Sequence, residues 1–169
     1  VTPFVRQGEV IVASFERAEV EILVTLATDV HSLLADADRL DPDSPSSRAL
    51  DRLLPAAYGD GAENDAEFRR FTAEGLVERK VRNAELLVEA FGERDEWAGT
   101  VRVNLDAAAA SAWLRSLTDI RLTIAAGLGI EHDGDQLLID ADDRFVLEVY
   151  GWVGFVQESL LRALDPDFS

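Results

Sequence analysis

The sequence predicts a mainly α-helical single domain, a bundle of about four long helices with a small β-hairpin at its N-terminal end. Three observations lead there. Apolar residues recur at three- and four-residue spacing over long stretches, as one buried face of an α-helix requires. Near the start, two short apolar runs flank a glycine, the pattern of a hairpin. The length of 169 residues suits one core, and a hydrophobic fraction of 47% suffices to fill it. The expected domain is 1–169, with 1–13 as a hairpin appendage and 14–169 as the helical core.

Phe4 and Val5, then Val10, Ile11 and Val12, read as strands around a turn at Gln7 and Gly8. Ser14 is the expected N-cap of the first long helix, whose stripe is Val20, Leu23, Val24, Ala27, Val30, Leu33 and Leu34, running to about Leu40. Residues 41–47, with Pro42 and Pro45 among serines and aspartates, read as a turn-rich connector. Leu50, Leu53 and Leu54 predict a short helix stopped by Pro55, then a loop holding Tyr58 to Gly61. A brief helix is expected to end at Phe71. Thr72 then caps the second long helix, with Leu76, Val77, Ala84, Leu87, Val88 and Phe91 on its buried side and Gly92 at its stop.

Val101, Val103 and Leu105 alternate with Arg102 and Asn104, which predicts either a short strand able to pair with the hairpin or a merely extended stretch. Asp106 is the expected cap of a third long helix through Trp113, Leu114, Leu117, Ile120, Leu122, Ile124 and Leu128. Its broad apolar face places it near the centre of the fold. Residues 145–164 read as the last helix. Gly151 and Gly154 imply close packing there, or a segment that is not helical, because each costs about 1 kcal/mol relative to Ala in a helix interior.

Thirty-three acidic residues against 16 basic ones give a net charge of −17. Such a field repels phosphate backbones, so direct nucleic-acid binding is disfavoured, while a basic surface or a cation would be attracted. There is no cysteine, which excludes disulfides, thiolate catalysis and Cys-ligated metals. No apolar run is long enough for a membrane span, and residues 1–12 lack the layout of a signal peptide, so a cytoplasmic protein is expected.

The acidic stretch Glu131, Asp133, Asp135, Asp140, Asp142 and Asp143 lacks the ligand spacing of a calcium loop. His31 and His132 are far apart and have no ligand neighbours at helical spacing. No nucleophile elbow, Walker A run or dinucleotide fingerprint occurs. No catalytic, cofactor-binding or metal-ligating residue is therefore assigned, and no cofactor is expected.

Two charged clusters interrupt apolar stretches: Glu67, Arg69 and Arg70 around Phe68, and Asp119 and Arg121 around Ile120. On one reading, Asp119 or Glu67 pairs with an arginine across a helix interface and fixes its register. On the other, Arg69, Arg70, Arg79, Lys80 and Arg82 form a basic surface on an acidic molecule, able to receive a partner protein. The aromatics Trp113, Trp152, Tyr58, Tyr150 and Phe155 are expected in the core, with a ligand pocket among them as the alternative.

Several runs, in order, resemble one family. They are the early Phe4-Val5-Arg6 hairpin, Leu54 to Asp60 leading to Glu67 through Thr72 and Lys80, then Ala112 through Leu122 with Leu128-Gly129-Ile130, and finally Tyr150-Gly151-Trp152 with Gln157 through Leu161. Together they resemble the AosR-like actinobacterial oxidative-stress regulators, a family catalogued as a domain of unknown function. The resemblance covers nearly the whole chain. It implies a cytoplasmic helical protein, related to redox-responsive regulators that act with the transcription machinery. The sequence departs from that pattern at one point, since redox sensing of this kind depends on a cysteine pair and none is present.

The function expected from the sequence is thus a non-enzymatic regulatory or protein-interaction module without a cysteine switch. One alternative is a small-molecule binder or enzyme with Glu67, Arg70, Asp119 and Arg121 on a polar pocket floor. Another is a protein of purely structural role.

Overall fold

A computed structural model describes residues 2–36, 44–54, 66–93, 99–129 and 141–165. The elements, in chain order, are β1 (Thr2–Gln7), β2 (Val10–Glu16), α1 (Arg17–Ala35), α2 (Pro45–Leu53), α3 (Ala66–Glu89), β3 (Thr100–Leu105), α4 (Ala107–Gly127) and α5 (Ala141–Leu164). Among the described residues the chain is mainly helical, as the apolar periodicity requires, with five helices where about four long ones were expected. The hairpin grows into a three-stranded antiparallel sheet of order β1-β2-β3.

Gly8, at φ 66°, takes the first position of the two-residue loop between Gln7 and Val10, where hairpin turns favour a residue free to adopt positive φ. β3 pairs with β2 from Ile11↔Leu105 to Glu16↔Thr100. Val101, Val103 and Leu105 are buried while Thr100, Arg102 and Asn104 are exposed, the alternation of a sheet with one wet face.

The sheet is no appendage. Phe4 and Phe15 reach from it into an aromatic cluster with Phe91 of the α3 C-terminal turn and Trp113 of α4. Ring centroids lie 5.9 Å apart for Phe4–Trp113 and for Phe15–Trp113, and 5.3 Å apart for Phe91–Trp113. Each such side chain, fully buried, is worth about 1.5–3 kcal/mol. Trp113 and Phe15 are wholly buried, so the strands and α4 hold each other in place.

α4 lies at the centre, touching α1, α2, α3 and α5 as well as β2 and β3. Its buried residues run from Ala110 to Ala126, so its broad apolar face was a sound guide to its position. Asp106 caps it as expected, accepting from the Ala109 N–H at 2.8 Å. Gly92 also ends its helix as expected, at φ 68°, the left-handed conformation glycine adopts without strain.

Five boundaries differ from expectation, the first being the end of α1, at Ala35 instead of about Leu40. Ser14 is not a cap: it lies in β2, opposite Thr2 and Arg102, and the sheet extends past residue 13. Glu16 caps α1 instead, its N–H donating to Glu19 Oε2 at 2.8 Å. The connector expected over 41–47 is helical from Pro45, because Ser44 accepts from the Ser47 N–H and proline fits the first turn. No break occurs at Thr72; α3 is one helix of 24 residues. α5 starts at Ala141, ahead of the expected 145.

Gly154 alone of the two α5 glycines has a close neighbour, since a Cβ there would lie 3.6 Å from Arg121 Cζ; at Gly151 nothing lies within 4 Å. Phe155 is 46% exposed, which removes it from the expected core. Val153, Val156 and Leu160 take the buried side of α5 instead. Tyr58, Gly59 to Gly61 and the 130–140 acidic stretch lie outside the described residues.

Candidate functional site

α3 and α4 pack side by side, and the seam between them opens into a groove of ≈ 600 Å³. It is lined by Leu76, Arg79, Lys80, Arg82 and Asn83 of α3 and by Arg115, Thr118 and Asp119 of α4. The volume is within the range of natural small-ligand and peptide pockets.

Asp119 is the buried pole of the groove. It is 2% exposed, and its Oδ1 accepts from Lys80 Nζ at 2.5 Å across the seam. Lys80 is the sole lysine of the sequence. Burial raises the Asp119 carboxyl above its ordinary value because it disfavours the charged form, and the Lys80 ammonium opposes that by stabilising the carboxylate. The Asp119 Oδ2 has no hydrogen-bond partner among the described residues. The pair is an ion pair across a helix interface, with a lysine in the place expected for an arginine.

The remaining cations divide in two. Arg82 is held on its own helix by Glu89, at 2.9 Å, and by Glu85, at 3.2 Å. These carboxylates, Glu89 foremost, raise its pKa and keep it charged. Arg79 and Arg115 are exposed and form no ion pair among the described residues. They come from different helices and line the same groove.

Arg121 faces elsewhere. Its Nη1 donates to Gln157 Oε1 and its Nη2 to Tyr150 OH, both at 3.0 Å, and its Cζ lies 4.7 Å from the Tyr150 ring centroid. These partners are on α5. Two residues apart on α4, Asp119 and Arg121 turn to opposite neighbours, so they do not floor one pocket. Gln157 also donates to Thr118 Oγ1 at 2.7 Å, which links the Arg121 cluster to the groove wall.

Among the residues singled out in the sequence, Arg79, Lys80, Arg82 and Asp119 come together, and Arg121 is set apart. Glu67, Arg69 and Arg70 lie on α3, but their side chains are outside the described set. The sequence reading missed Arg115. The available signal was its spacing: it stands four residues before Asp119, so both lie on one face of α4. Among the described residues no group of three or more His, Asp or Glu side chains could hold a metal ion. No helix among them is long and apolar enough to cross a membrane.

The pattern of DUF2017, a domain of unknown function, matches residues 1–164. The chain belongs to the DUF2017 family. Over 127 residues this DUF2017 chain is 29% identical to a protein of Mycobacterium leprae (strain TN) named as a candidate oxidative stress regulator, AosR; the match covers 75% of the chain and 56% of that relative. The chain therefore spans a little over half of that relative's length. No solved structure matches it. The resemblance noted in the sequence to an AosR-like family holds.

Proposed function

We propose that this DUF2017 chain is a non-enzymatic regulatory module that works by binding a partner protein. The observation that carries the reading is the α3–α4 groove, where Arg79 and Arg115 reverse the local sign of a molecule of net charge −17 and have no ion-pair partner among the described residues. A patch opposite in sign to the rest of a surface orients an approaching partner and favours one docking register. The name of the M. leprae relative, a regulator and not an enzyme, supports the same reading. Without a cysteine, this chain has no thiol with which to sense an oxidant itself, so either a partner does the sensing or the shared task is not redox sensing. The reading takes 1–169 as one folding unit, supported by a hydrophobic core to which all three strands and five helices contribute.

Site-specific photo-crosslinking tests it. A photoreactive residue at Asn83 or Thr118, in the groove, is expected to give a discrete crosslinked product in mycobacterial cells, identifiable by mass spectrometry. The same residue at exposed Arg48 on α2 should not give that product. Equal labelling from all three positions, or none from the groove, defeats the proposal.

A further inference from the structure

The charges of the α3–α4 groove are sorted. Asp119 neutralises Lys80 at its base, and Glu85 and Glu89 neutralise Arg82 at its edge. That leaves Arg79 and Arg115, one from each helix, as the two cations able to receive a new anion. The Asn83 amide offers a neutral hydrogen-bonding group beside them, and Leu76 supplies an apolar wall.

We propose that this groove binds an acidic peptide segment of a partner protein, one whose carboxylate side chains alternate with apolar ones. The inference rests on the protein-interaction reading above and specifies the chemistry of the partner. Guanidinium groups take carboxylates in paired, charge-assisted hydrogen bonds, and an exposed arginine on each wall matches one carboxylate apiece. Leu76 rewards an apolar side chain between them, which a free anion does not have.

The buried Asp119 decides between kinds of anion. Its carboxyl lies at the base of the groove, with one oxygen unpartnered among the described residues. Its ion pair with Lys80 occupies that ammonium, so each exposed arginine meets an incoming anion with one positive charge, which a carboxylate balances and a phosphate dianion exceeds. A carboxylate is therefore favoured over a phosphate. A nucleic acid would in addition carry many phosphates toward a chain of charge −17.

The test uses the whole chain and fluorescence anisotropy with a labelled peptide series graded in glutamate content, each with leucine between the acidic positions. Matched peptides with Gln for Glu, phosphoserine peptides and a single-stranded oligonucleotide serve as competitors. Saturable binding should grow with glutamate content and weaken as salt is raised. The double variant Arg79→Gln with Arg115→Gln should bind at least about tenfold more weakly, with an unchanged melting temperature, while Arg48→Gln binds as the wild type does. Carbon-13 dimethylation of Lys80, a single side-chain reporter, should show its signal shift on adding the acidic peptide.

Equal binding of the Gln peptides, stronger competition by phosphoserine or oligonucleotide, or no binding across the series overturns the proposal. A groove-specific crosslink combined with any of those outcomes would leave the interaction reading intact while removing the acidic partner. Loss of both would remove both.

Discussion

Phe4 and Ser159, 155 residues apart in sequence, are joined by a 2.7 Å hydrogen bond from the Phe4 N–H to the Ser159 Oγ. The contact follows from an irregularity in β1. The pairing register shifts between Thr2 and Val5, as at a β-bulge, where a residue drops out of the ladder and its N–H needs another acceptor. Ser159, 8% exposed on α5, supplies it. Arg6 extends the connection by donating to the carbonyls of Ala163 and Leu164, at 3.1 and 3.0 Å, at the C-terminal end of α5, where a cation also complements the helix dipole.

Ser159→Ala should therefore cost about 1–3 kcal/mol, the typical price of leaving a buried N–H unsatisfied. Urea unfolding of the variant should show a lower midpoint with an unchanged slope, and the Phe4 amide should exchange faster. A midpoint equal to the wild type would show that Phe4 finds another acceptor.

Asp119 makes stability depend on pH in a definite direction. Its native carboxyl is raised by burial above the ordinary value of 3.8, so the folded state holds the proton more tightly than the unfolded chain. That contribution is whole below the ordinary value and is lost as pH rises through the raised native value. Asp119→Asn keeps an oxygen acceptor for Lys80 and removes the titration. As pH rises from about 4, the wild-type melting temperature is expected to fall relative to this variant. A constant difference across the range would contradict the assignment.

Gly151→Ala should stabilise the protein. The residue is helical and exposed, and an added Cβ meets nothing within 4 Å. The gain expected from helix propensity is about 1 kcal/mol, visible as a raised midpoint in chemical unfolding. An unchanged or lowered midpoint would mean that α5 is under a constraint at this position.

Much of the fold was legible because its signals are local. Apolar spacing marked the helices, the Val101-Val103-Leu105 alternation marked β3, and Asp106 and Gly92 marked helix ends with short-range hydrogen bonds and backbone freedom. Boundaries failed where a local signal of about 1 kcal/mol met a larger tertiary gain. Thr72 could cap a helix, but an unbroken α3 keeps Leu76, Val77 and Val81 in register against the core. Ser14 could cap α1, but pairing with β3 draws β2 on to Glu16.

The candidate site was legible only in part. Arg79, Lys80, Arg82 and Asp119 could be named as charges in unusual places, whereas Arg115 looked like one more surface arginine. What distinguishes it is the identity of the helix facing it, and an apolar stripe says that a helix face is buried without saying against what.

By itself the sequence determined the helical content, the central position of α4, the acidic field and the absence of thiol chemistry, because these follow from composition and from periodicity along one stretch of chain. Only the tertiary structure decided that Asp119 would meet Lys80, 39 residues away, that Arg121 would turn to Tyr150 and Gln157, and that Arg79 and Arg115 would share a groove. Those pairings depend on which helices become neighbours and in what register, which packing of the whole core sets and no local pattern encodes.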